Sequence, residues 1–348
     1  MPTIRDVAKA CGISAMTVSA IMNGRNGKAS AETRRRVLSV VKEMGYRPNA
    51  TARAFRNRRT NILGIVLAYC GIPYLTGHRY FGPALDGLIA ANKRCEQKTL
   101  IIAEHTWEEA HAKMLGYLDG YCDGLIFIVP TAPDEMFLEL SAQRFPYVLL
   151  GESRDNKEIP ATDLDNVQAG IDATNLLIEY GHRNIAMLRG TDGYCSSDQR
   201  EKGYRIALER YGLAVDRELI LSGVYSVQSG YERTRLLLES SVKARPTALF
   251  CGDDMIAEGA MKCLQDNGVS IPDEMSVIGI NNDQPAELLT PGLTTINHPL
   301  RQLGEVAVES VLKQISGEEP IAPTTFVKGD IVKRLSVGPA PENKRPLG

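Results

Sequence analysis

The chain has 348 residues, which is too long for one ordinary hydrophobic core, so we expect two or three domains. Its 43% hydrophobic and 24% charged residues are ordinary for a soluble globular protein, and no apolar run approaches the roughly 20 residues that span a membrane. The sequence shows no secretory signal, and its seven cysteines form no Cys-x-x-Cys pair. We therefore expect a cytoplasmic protein without a disulfide framework or a zinc site.

The N-terminal stretch predicts two short amphipathic helices separated by a turn at Gly12. Thr3, with Asp6 three residues later, is the predicted cap of the first helix, and Ser14, with Thr17 three residues later, is that of the second. Apolar side chains recur at helical spacing in both segments; they are Ile4, Val7 and Ala8, then Val18, Ile21 and Met22. Two helices joined by a short glycine turn are typical of a helix-turn-helix.

A third helix is predicted between a cap at Ser30 and a stop at Gly45. Its predicted buried stripe consists of Val37, Leu38, Val41 and Met44.

Positive charge is concentrated at the N-terminal end. Through Thr60 the chain carries thirteen Lys and Arg residues against three Asp and Glu, a net charge of +10, whereas the remainder carries a net charge of −12. A basic end on an acidic body indicates phosphate binding, because each neutralised phosphate releases counterions. A solvated charged helix is the alternative, but here the charge coincides with the helix-turn-helix pattern.

Beyond a linker at 57–61, apolar runs alternate with helical stretches in two series. The first series has apolar runs at 62–68, 99–103, 124–129 and 147–150, and a helix at about 81–97. The second has apolar runs at 184–188, 219–221, 248–251 and 276–280, and helices at 197–211, 230–239 and 255–267. This alternation predicts two doubly wound α/β subdomains with parallel sheets. Because ligands bind beyond the carboxyl ends of such strands, we expect a site in the cleft between the subdomains.

Several motifs near the N-terminus are similar to those of one known family. They are Thr3-Ile4-Arg5-Asp6-Val7-Ala8, Thr17-Val18-Ser19, Asn23-Gly24, Tyr46-Arg47-Pro48-Asn49 and Ala52-Arg53. On these motifs the chain resembles the transcription regulators of the lactose-repressor (LacI/GalR) family, and the resemblance runs from Pro2 to about Leu335. It implies an N-terminal all-α helix-turn-helix head and an α/β periplasmic-binding-protein-like core of two doubly wound parallel-sheet subdomains.

The resemblance also implies a division of the chain. We expect a DNA-binding domain at 1–47, a hinge helix and linker at 48–61, an effector-binding and dimerisation core at 62–337, and a loose tail at 338–348. The two subdomains would be roughly 62–160 plus 293–325, and 161–292 plus 326–337. No apolar heptads follow the core, so we expect a homodimer rather than a tetramer.

By resemblance, the second helix lies in the major groove, with Ala15 and Met16 at the main base-reading positions and Ala20 where many relatives carry Arg. Ala and Met cannot form bidentate hydrogen bonds with guanine or adenine, but they can pack on thymine methyl groups. We therefore expect a weaker direct readout than the family norm. The DNA contacts that we expect are Thr3, Ser14, Ala15, Met16, Thr17, Ser19, Ala20, Asn23, Asn49, Ala52, Arg53, Phe55 and Arg56.

Residues 48–56 resemble the family's hinge helix, which folds when the dimer meets DNA. Phe55 stands where the family has a Leu that wedges into the central minor groove, and such an insertion unstacks a base step and bends the duplex. The alternative is that Phe55 packs against its dimer mate. Neighbouring arginines would track the phosphates; they are Arg53, Arg56, Arg58 and Arg59.

The resemblance also names candidate effector contacts. Arg200 matches the family's effector-binding Arg, with a surface ion pair as the alternative, and Tyr225 matches an aromatic residue that stacks on the effector. Asp253 falls where Asn is common, and Asn281 falls where Asp is common. The implied effector is a sugar or a sugar derivative.

Two further aromatic residues, Tyr80 and Phe81, follow the first predicted strand and match an aromatic pair of some relatives. The loop before them, at 69–79, is longer than in typical relatives. It could contact the effector, act as a lid, or be a plain surface loop.

Enzyme motifs are missing from the sequence. It contains no Gly-x-x-x-x-Gly-Lys-Ser/Thr loop and no Gly-x-Ser-x-Gly elbow, and its five histidines show no metal-ligand spacing. We therefore expect no catalytic residue, metal or cofactor. The predicted function is that of a dimeric repressor on a near-palindromic operator, controlled by a small molecule in the cleft. A carbohydrate sensor without operator regulation and an architectural DNA binder without sequence preference are the alternatives.

Overall fold

The computed structural model describes residues 2–22, 24, 29–47, 59–69, 77–240, 245–318 and 324–341. The chain divides into two compact units, Met1–Thr60 and Asn61–Gly348, which we call the head and the core. In the described residues, no helix is both long enough and apolar enough to cross a membrane.

The described part of the head is helical, with α1 at Ile4–Ala10, α2 at Ala15–Met22 and α3 at Ala31–Glu43. Each predicted cap is confirmed. The Asp6 carboxylate accepts hydrogen bonds from the backbone N–H and the hydroxyl of Thr3, both at 2.8 Å. The hydroxyl oxygens of Ser14 and Ser30 each accept from the backbone N–H three residues later at 3.1 Å. These bonds satisfy N–H groups that a helix start leaves unpaired.

The head has its own small core, centred on Val7, Val18 and Val37, all of which are fully buried. The prediction that Leu38 belongs to this core is wrong, because its side chain is 48% exposed. Val40 takes part in the packing instead, since buried positions on a helix recur three and four residues apart and position 38 points away from that face.

Substitutions at Val37 and Leu38 can test which of the two side chains belongs to the core of the head. Replacing Val37 with Ala removes two buried methyl groups and should lower the free energy of unfolding of the head by about 2 kcal/mol. The matched change Leu38→Ala should cost less than about 0.5 kcal/mol, because it alters an exposed position. Hydrogen exchange of head amides in the full chain measures both, and equal losses would return Leu38 to the buried stripe.

The core alternates strands and helices. Its strands are β1 Ile62–Ala68, β2 Lys98–Glu104, β3 Gly124–Ile128, β4 Tyr147–Leu150, β5 Ala161–Leu164, β6 Ile185–Leu188, β7 Ile220–Leu221, β8 Ala248–Cys251, β9 Ser276–Asn281, β10 Thr294–Asn297, β11 Thr325–Val327 and β12 Ile331–Val332. Its helices are α4 Phe81–Arg94, α5 Trp107–Tyr117, α6 Asp134–Ala142, α7 Asn166–Glu179, α8 Cys195–Arg210, α9 Val227–Glu239, α10 Asp254–Asp266, α11 Gln284–Leu288 and α12 Leu300–Ser316.

These strands form two sheets, and each sheet defines a lobe. The first sheet has the order β11-β5-β4-β3-β1-β2 and is parallel throughout. The second has the order β12-β10-β9-β8-β6-β7 and is parallel except for the β10–β12 pair. Helices cover both faces of each sheet, with α5 and α6 opposite α4 and α12 in the first lobe, and α7 and α8 opposite α9 and α10 in the second. The predicted pair of doubly wound sheets is confirmed.

The lobe boundaries differ from the approximate ones that the sequence suggests. Ala161–Leu164 pairs in the first sheet, although 161–292 is assigned to the second subdomain, and Thr294–Asn297 pairs in the second sheet, although 293–325 is assigned to the first. Both strands adjoin a place where the chain passes between lobes. Composition does not change there, because a strand before the crossing and a strand after it have the same buried apolar pattern.

The start of the predicted loose tail is also packed. The backbone N–H of Ala340 donates to the carbonyl of Tyr180 at 2.8 Å, and the carbonyl of Gly338 lies 3.0 Å from Nε2 of His182, which is fully buried. The tail prediction is therefore wrong for 338–341, because these residues satisfy polar groups of the second lobe. Residues 342–348 lie outside the described part.

Candidate functional site

A cleft of about 600 Å³ lies between the two lobes, at the carboxyl ends of their strands. This is within the range of small-molecule sites. All six residues predicted to contact an effector line it; they are Tyr80, Phe81, Arg200, Tyr225, Asp253 and Asn281. The structure therefore brings these residues together from α4, α8, the chain before α9, the chain before α10 and the end of β9. Their proposed role as effector contacts is argued below.

Two of these side chains lie directly against glycines. A Cβ atom added at Gly151 would fall 1.9 Å from the Tyr80 hydroxyl oxygen, and one added at Gly190 would fall 2.0 Å from the Tyr225 ring. Gly151 also has a φ of 79°, which L-residues rarely adopt. The two tyrosines can thus pack onto backbone, and Tyr194 adds an edge-to-face ring 6.1 Å from that of Tyr225. The result is an aromatic wall on either side of the cleft.

Arg200 is only 3% exposed, so it is not the surface ion pair of the alternative interpretation. Its Nε donates to Oδ1 of Asn166 at 2.9 Å, and its Nη1 donates to the carbonyl of Gly252. Much of the guanidinium fork is therefore engaged by the protein. The side chain is held rigid by two segments of the second lobe, which fixes its charge at the cleft wall.

Two buried carboxylates lie near Arg200. Burial raises the pKa of Asp163, opposed by hydrogen bonds from Ser153 and by the charge of Arg200. Burial likewise raises the pKa of Asp253 to about 6, opposed by the N–H of Ile256 and by Arg200. Asp253 also caps α10, because its Oδ1 accepts from the N–H of Ile256 at 2.8 Å. One carboxylate oxygen of Asp253, a predicted effector contact, is therefore already hydrogen-bonded to the protein.

His298 lines the cleft and was missed in the sequence analysis. It is 5% exposed, its ring lies edge-to-face 5.4 Å from that of Tyr80, and its Nδ1 lies 3.3 Å from Oδ1 of Asn281. Burial lowers the pKa of His298 well below its usual value, and the charge of Arg200 lowers it further. The sequence could have indicated His298, because this residue directly follows a strand whose carboxyl end faces the cleft.

Arg79 joins the two lobes at the cleft. Its Nη1 lies 2.6 Å from a carboxylate oxygen of Glu258 and 3.3 Å from one of Asp283, both in the second lobe. This end of the 69–79 loop is therefore tied across the cleft. Residues 70–76 lie outside the described part, so the choice between lid and plain loop stays a prediction.

Glu152 forms a second contact between the lobes. Its Oε1 accepts from the backbone N–H of Cys195 at 3.0 Å, and its Oε2 has no hydrogen-bond partner among the described residues. Burial raises the pKa of Glu152 to about 7, and the charge of Asp163 adds to the rise, against the hydrogen bond from Cys195. The carboxylate is therefore partly protonated near neutral pH.

The predicted DNA contacts that the structure describes differ in their exposure. Met16 is 76% exposed, whereas Ala15, Thr17, Ser19 and Ala20 on the same helix are half-buried. The hydroxyls of Ser14 and Thr17 lie 2.9 Å apart, and that of Thr3 donates to Asp6, so these polar side chains already have cap partners. The remaining predicted contacts lie outside the described residues; they are Asn23, Asn49, Ala52, Arg53, Phe55 and Arg56.

The raised pKa of Glu152 predicts a pH dependence of core stability. The folded chain holds this proton up to a higher pH than the unfolded chain does, so the free energy of unfolding should fall as pH rises from about 5 to about 8. Glu152→Gln should remove this loss and raise stability at pH 8 by about 1–3 kcal/mol, with little effect at pH 5. Denaturant titrations at both pH values measure it, with Glu135→Gln as the exposed control. Equal effects of Glu152→Gln at both pH values would contradict the assignment.

Comparison with known proteins follows the same division into head and core. The model of bacterial regulatory proteins of the lacI family matches residues 3–49, and that of the periplasmic binding protein-like domain matches 174–337. Catabolite control protein A of Priestia megaterium is 31% identical over 318 residues, covering 91% of this chain and 93% of that protein. The HTH-type transcriptional repressor PurR of Erwinia tasmaniensis is 32% identical over 347 residues, covering 98% of each.

Among solved structures, the complex of the transcriptional regulator CelR with cellobiose superposes with a TM-score of 0.73 at 27% identity, covering 97% of this chain and 100% of that one. Similarity of this extent spans both units. The chain therefore belongs to the lacI family of bacterial regulatory proteins, and it is a DNA-binding transcriptional regulator rather than an enzyme.

Proposed function

We propose that this regulator is a dimeric repressor that binds a near-palindromic operator and responds to a sugar or sugar derivative in the cleft between its lobes. The observation that carries the proposal is the cleft itself. It combines aromatic walls, a rigid buried Arg200 and carboxylate and amide oxygens in a volume of about 600 Å³. Few precisely placed polar groups on an apolar wall are typical of a small-molecule site.

The chemistry of the cleft suits a sugar. A sugar ring has apolar C–H faces, which pack on Tyr80 and Tyr225, and hydroxyl groups, which both donate and accept hydrogen bonds. Asp253 and Asn281, which line the same space, supply oxygen acceptors. The relative CelR, whose structure contains cellobiose, supports a sugar by similarity.

DNA binding is assigned to the head. The charge of +10 through Thr60 supplies a strong, salt-dependent attraction to phosphates, and α2 presents Met16 for contact with base edges. In the proposed dimer, two heads bind two half-sites, and Phe55 of each protomer inserts between central base steps. The residues 48–56 that would form the hinge helix lie outside the described part.

The proposed control is a change in the relative positions of the lobes. The lobes are joined by three chain crossings and by polar contacts, including those of Arg79 and Glu152. A ligand that binds one arrangement better shifts the population toward it, and DNA affinity changes only by that difference. Such a shift would reach the head through the chain that enters β1.

The DNA part of the proposal can be tested by selecting duplexes from a random library and measuring their affinity across salt concentrations. Met16→Ala should weaken binding to the selected duplex about tenfold, because an apolar contact with bases is lost. The slope of log affinity against log salt should not change, because no phosphate contact is removed. Leu115→Ala, at an exposed apolar position of the core, is the control. Failure to enrich any sequence would favour an architectural DNA binder, and binding of sugars without DNA would favour a plain carbohydrate sensor.

The effector part can be tested by thermal unfolding with a panel of sugars, since a ligand of the native state raises the melting temperature. Arg200→Ala should abolish the shift given by any sugar that stabilises the wild type. Arg205→Ala on the same helix should keep it, because Arg205 pairs with Glu201 outside the cleft. Arg200→Lys retains a charge without the planar fork and should recover only part of the shift. An undiminished shift in Arg200→Ala would reject the cleft as the binding site.

A further inference from the structure

Three carboxylates of the second lobe, those of Asp254, Glu258 and Asp283, form what we call the acidic wall. Asp254 begins α10, Glu258 lies one turn further along that helix, and Asp283 directly precedes α11. The Asp254 carboxylate accepts a hydrogen bond from the backbone N–H of Asp283 at 2.9 Å, so these two residues are adjacent. Burial raises the pKa of Asp254 to about 7, and the charge of Asp283 adds to the rise, against a hydrogen bond from Thr295. Negative charges held this close in a buried place repel each other.

A cation from the first lobe meets the acidic wall. Nη1 of Arg79 lies 2.6 Å from a carboxylate oxygen of Glu258 and 3.3 Å from Oδ2 of Asp283. The side chain of Asp283 is only 4% exposed, and its Oδ1 has no hydrogen-bond partner among the described residues. Burial raises the pKa of Asp283, and the charge of Arg79 opposes this rise. Arg79 therefore stabilises the charged form of a carboxylate that has little access to water.

The backbone around Arg79 is bound to the start of α4. The carbonyl of His78 accepts from the N–H of Gly82 at 2.9 Å, and Nδ1 of His78 accepts from the N–H of Tyr80 at 3.2 Å. The ring of His78 lies edge-to-face 5.1 Å from that of Phe81. Because the residues on either side of Arg79 are fixed to α4, the guanidinium moves with the first lobe. Its ion pairs with the second lobe therefore depend on how the two lobes are placed.

Loss of the cation would favour a different placement of the lobes. A carboxylate that loses its partner while it stays buried is unfavourable, because it keeps neither the partner nor its water. Without Arg79, the carboxylates of Glu258 and Asp283 regain hydration when the lobes move apart. Isolated surface ion pairs contribute little, but here one partner is buried and the three charges form a network, which is the arrangement in which ion pairs contribute measurably.

We propose that Arg79 is an electrostatic latch, which holds the lobes of the ligand-free protein in the arrangement of this structure and thereby sets part of the resting affinity for DNA. The latch itself requires no effector, whereas its effect on DNA affinity rests on the proposed function. Glu258 and Asp283 are the acceptors of the latch. Added salt loosens it, since dissolved ions screen charges that are partly exposed. An effector then acts on an equilibrium that this ion pair has already biased.

Hydrogen exchange of the ligand-free full chain measures the latch through the backbone N–H of Cys195. This residue is the first of α8, and its N–H donates across the cleft to Glu152 at 3.0 Å, so the N–H exchanges when the lobes separate. Amides of the central strand β8 report unfolding of the second lobe instead. Arg79→Met keeps the aliphatic part of the side chain and removes the charge. Exchange at Cys195 should become about five- to tenfold faster, and exchange in β8 should not change.

Matched variants separate the charge of Arg79 from its packing. Arg94→Met, on the same helix α4, breaks an ion pair with Glu305 inside the first lobe, so exchange at Cys195 should stay within about twofold of the wild type. Arg79→Lys keeps the charge without the planar fork and should give an intermediate rate. Arg79→Glu adds a negative charge to the acidic wall and should exchange faster than Arg79→Met. Combining it with Glu258→Arg restores an opposite pair and should slow the exchange again.

Salt and DNA binding give two further measurements. Between about 50 and 500 mM KCl, exchange at Cys195 should accelerate more in the wild type than in Arg79→Met, which has no latch to screen. Affinity for the selected duplex, measured at one salt concentration, should differ from that of the wild type by at least about threefold in Arg79→Met and should not change in Arg94→Met.

The outcomes distinguish the latch from the proposed effector. Unchanged exchange at Cys195 in both Arg79→Met and Arg79→Glu would overturn the latch and leave the sugar-binding test as it is. Equally faster exchange in β8 would also overturn it, because Arg79 would then stabilise the whole lobe. Faster exchange at Cys195 with unchanged DNA affinity would overturn the effect on DNA. If Arg79→Met opens the lobes and no sugar raises the melting temperature of the wild type, the proposed effector fails and the latch stands.

Discussion

The strand ends around the cleft are held together by the burial of one positive charge, that of Arg200. A guanidinium this far from water is tolerated only when protein acceptors and nearby negative charge replace the lost hydration. Asn166 and the carbonyl of Gly252 supply the acceptors, and Nδ2 of Asn166 donates in turn to Asp163 at 3.2 Å. Asp163 also accepts from the N–H of Ser153 at 3.1 Å. One charge thus fixes strand ends of both lobes around a common space.

Several contacts between the lobes are polar, so they can be exchanged. The bonds across the cleft run from Arg79 to Glu258, from Glu152 to the N–H of Cys195, and from the amide of Gln199 to Ser153. Polar contacts of this kind can be replaced by water or by ligand hydroxyls at small net cost, whereas a packed apolar interface would hold one arrangement. Contacts of this kind would therefore let the lobes change their relative position when a ligand binds.

Much of this arrangement could be predicted from the sequence, and the exceptions share a physical cause. Caps and periodicity are local, so the head helices, their three caps and the alternation of the core follow from spacing alone. The prediction for Leu38 was wrong because neighbouring positions on a helix differ by about 100° of rotation. The spacing of apolar residues does not decide which of two neighbours faces the core. Ala161–Leu164 and Thr294–Asn297 were placed in the wrong lobe because a buried strand does not record which sheet it joins.

Some contacts in the candidate cleft could not be predicted from the sequence either. Arg200 and Tyr225 were named through motifs, but the pairing of Asn281 with His298 joins positions that only the meeting of β9 and β10 brings together. The hydroxyl oxygen of Tyr80 and Nε2 of His298 have no hydrogen-bond partner among the described residues, and a sequence does not record this either. Satisfaction of hydrogen bonds is a property of the folded structure and has no local signature.

The weak readout expected of α2 has a consequence for how a cleft ligand would control the regulator. A ligand changes DNA affinity only through free-energy terms that differ between the two arrangements of the lobes. Contacts between α2 and base edges are internal to one head and its half-site, so they are similar in both arrangements. In the proposed dimer, terms that depend on the spacing of the two heads and on the bending of the duplex would differ between them. In the proposed dimer, Ala15 and Met16 stand in place of residues that form bidentate hydrogen bonds. The spacing-dependent terms would therefore make up a larger share of specific affinity, and an effector would act on that larger share.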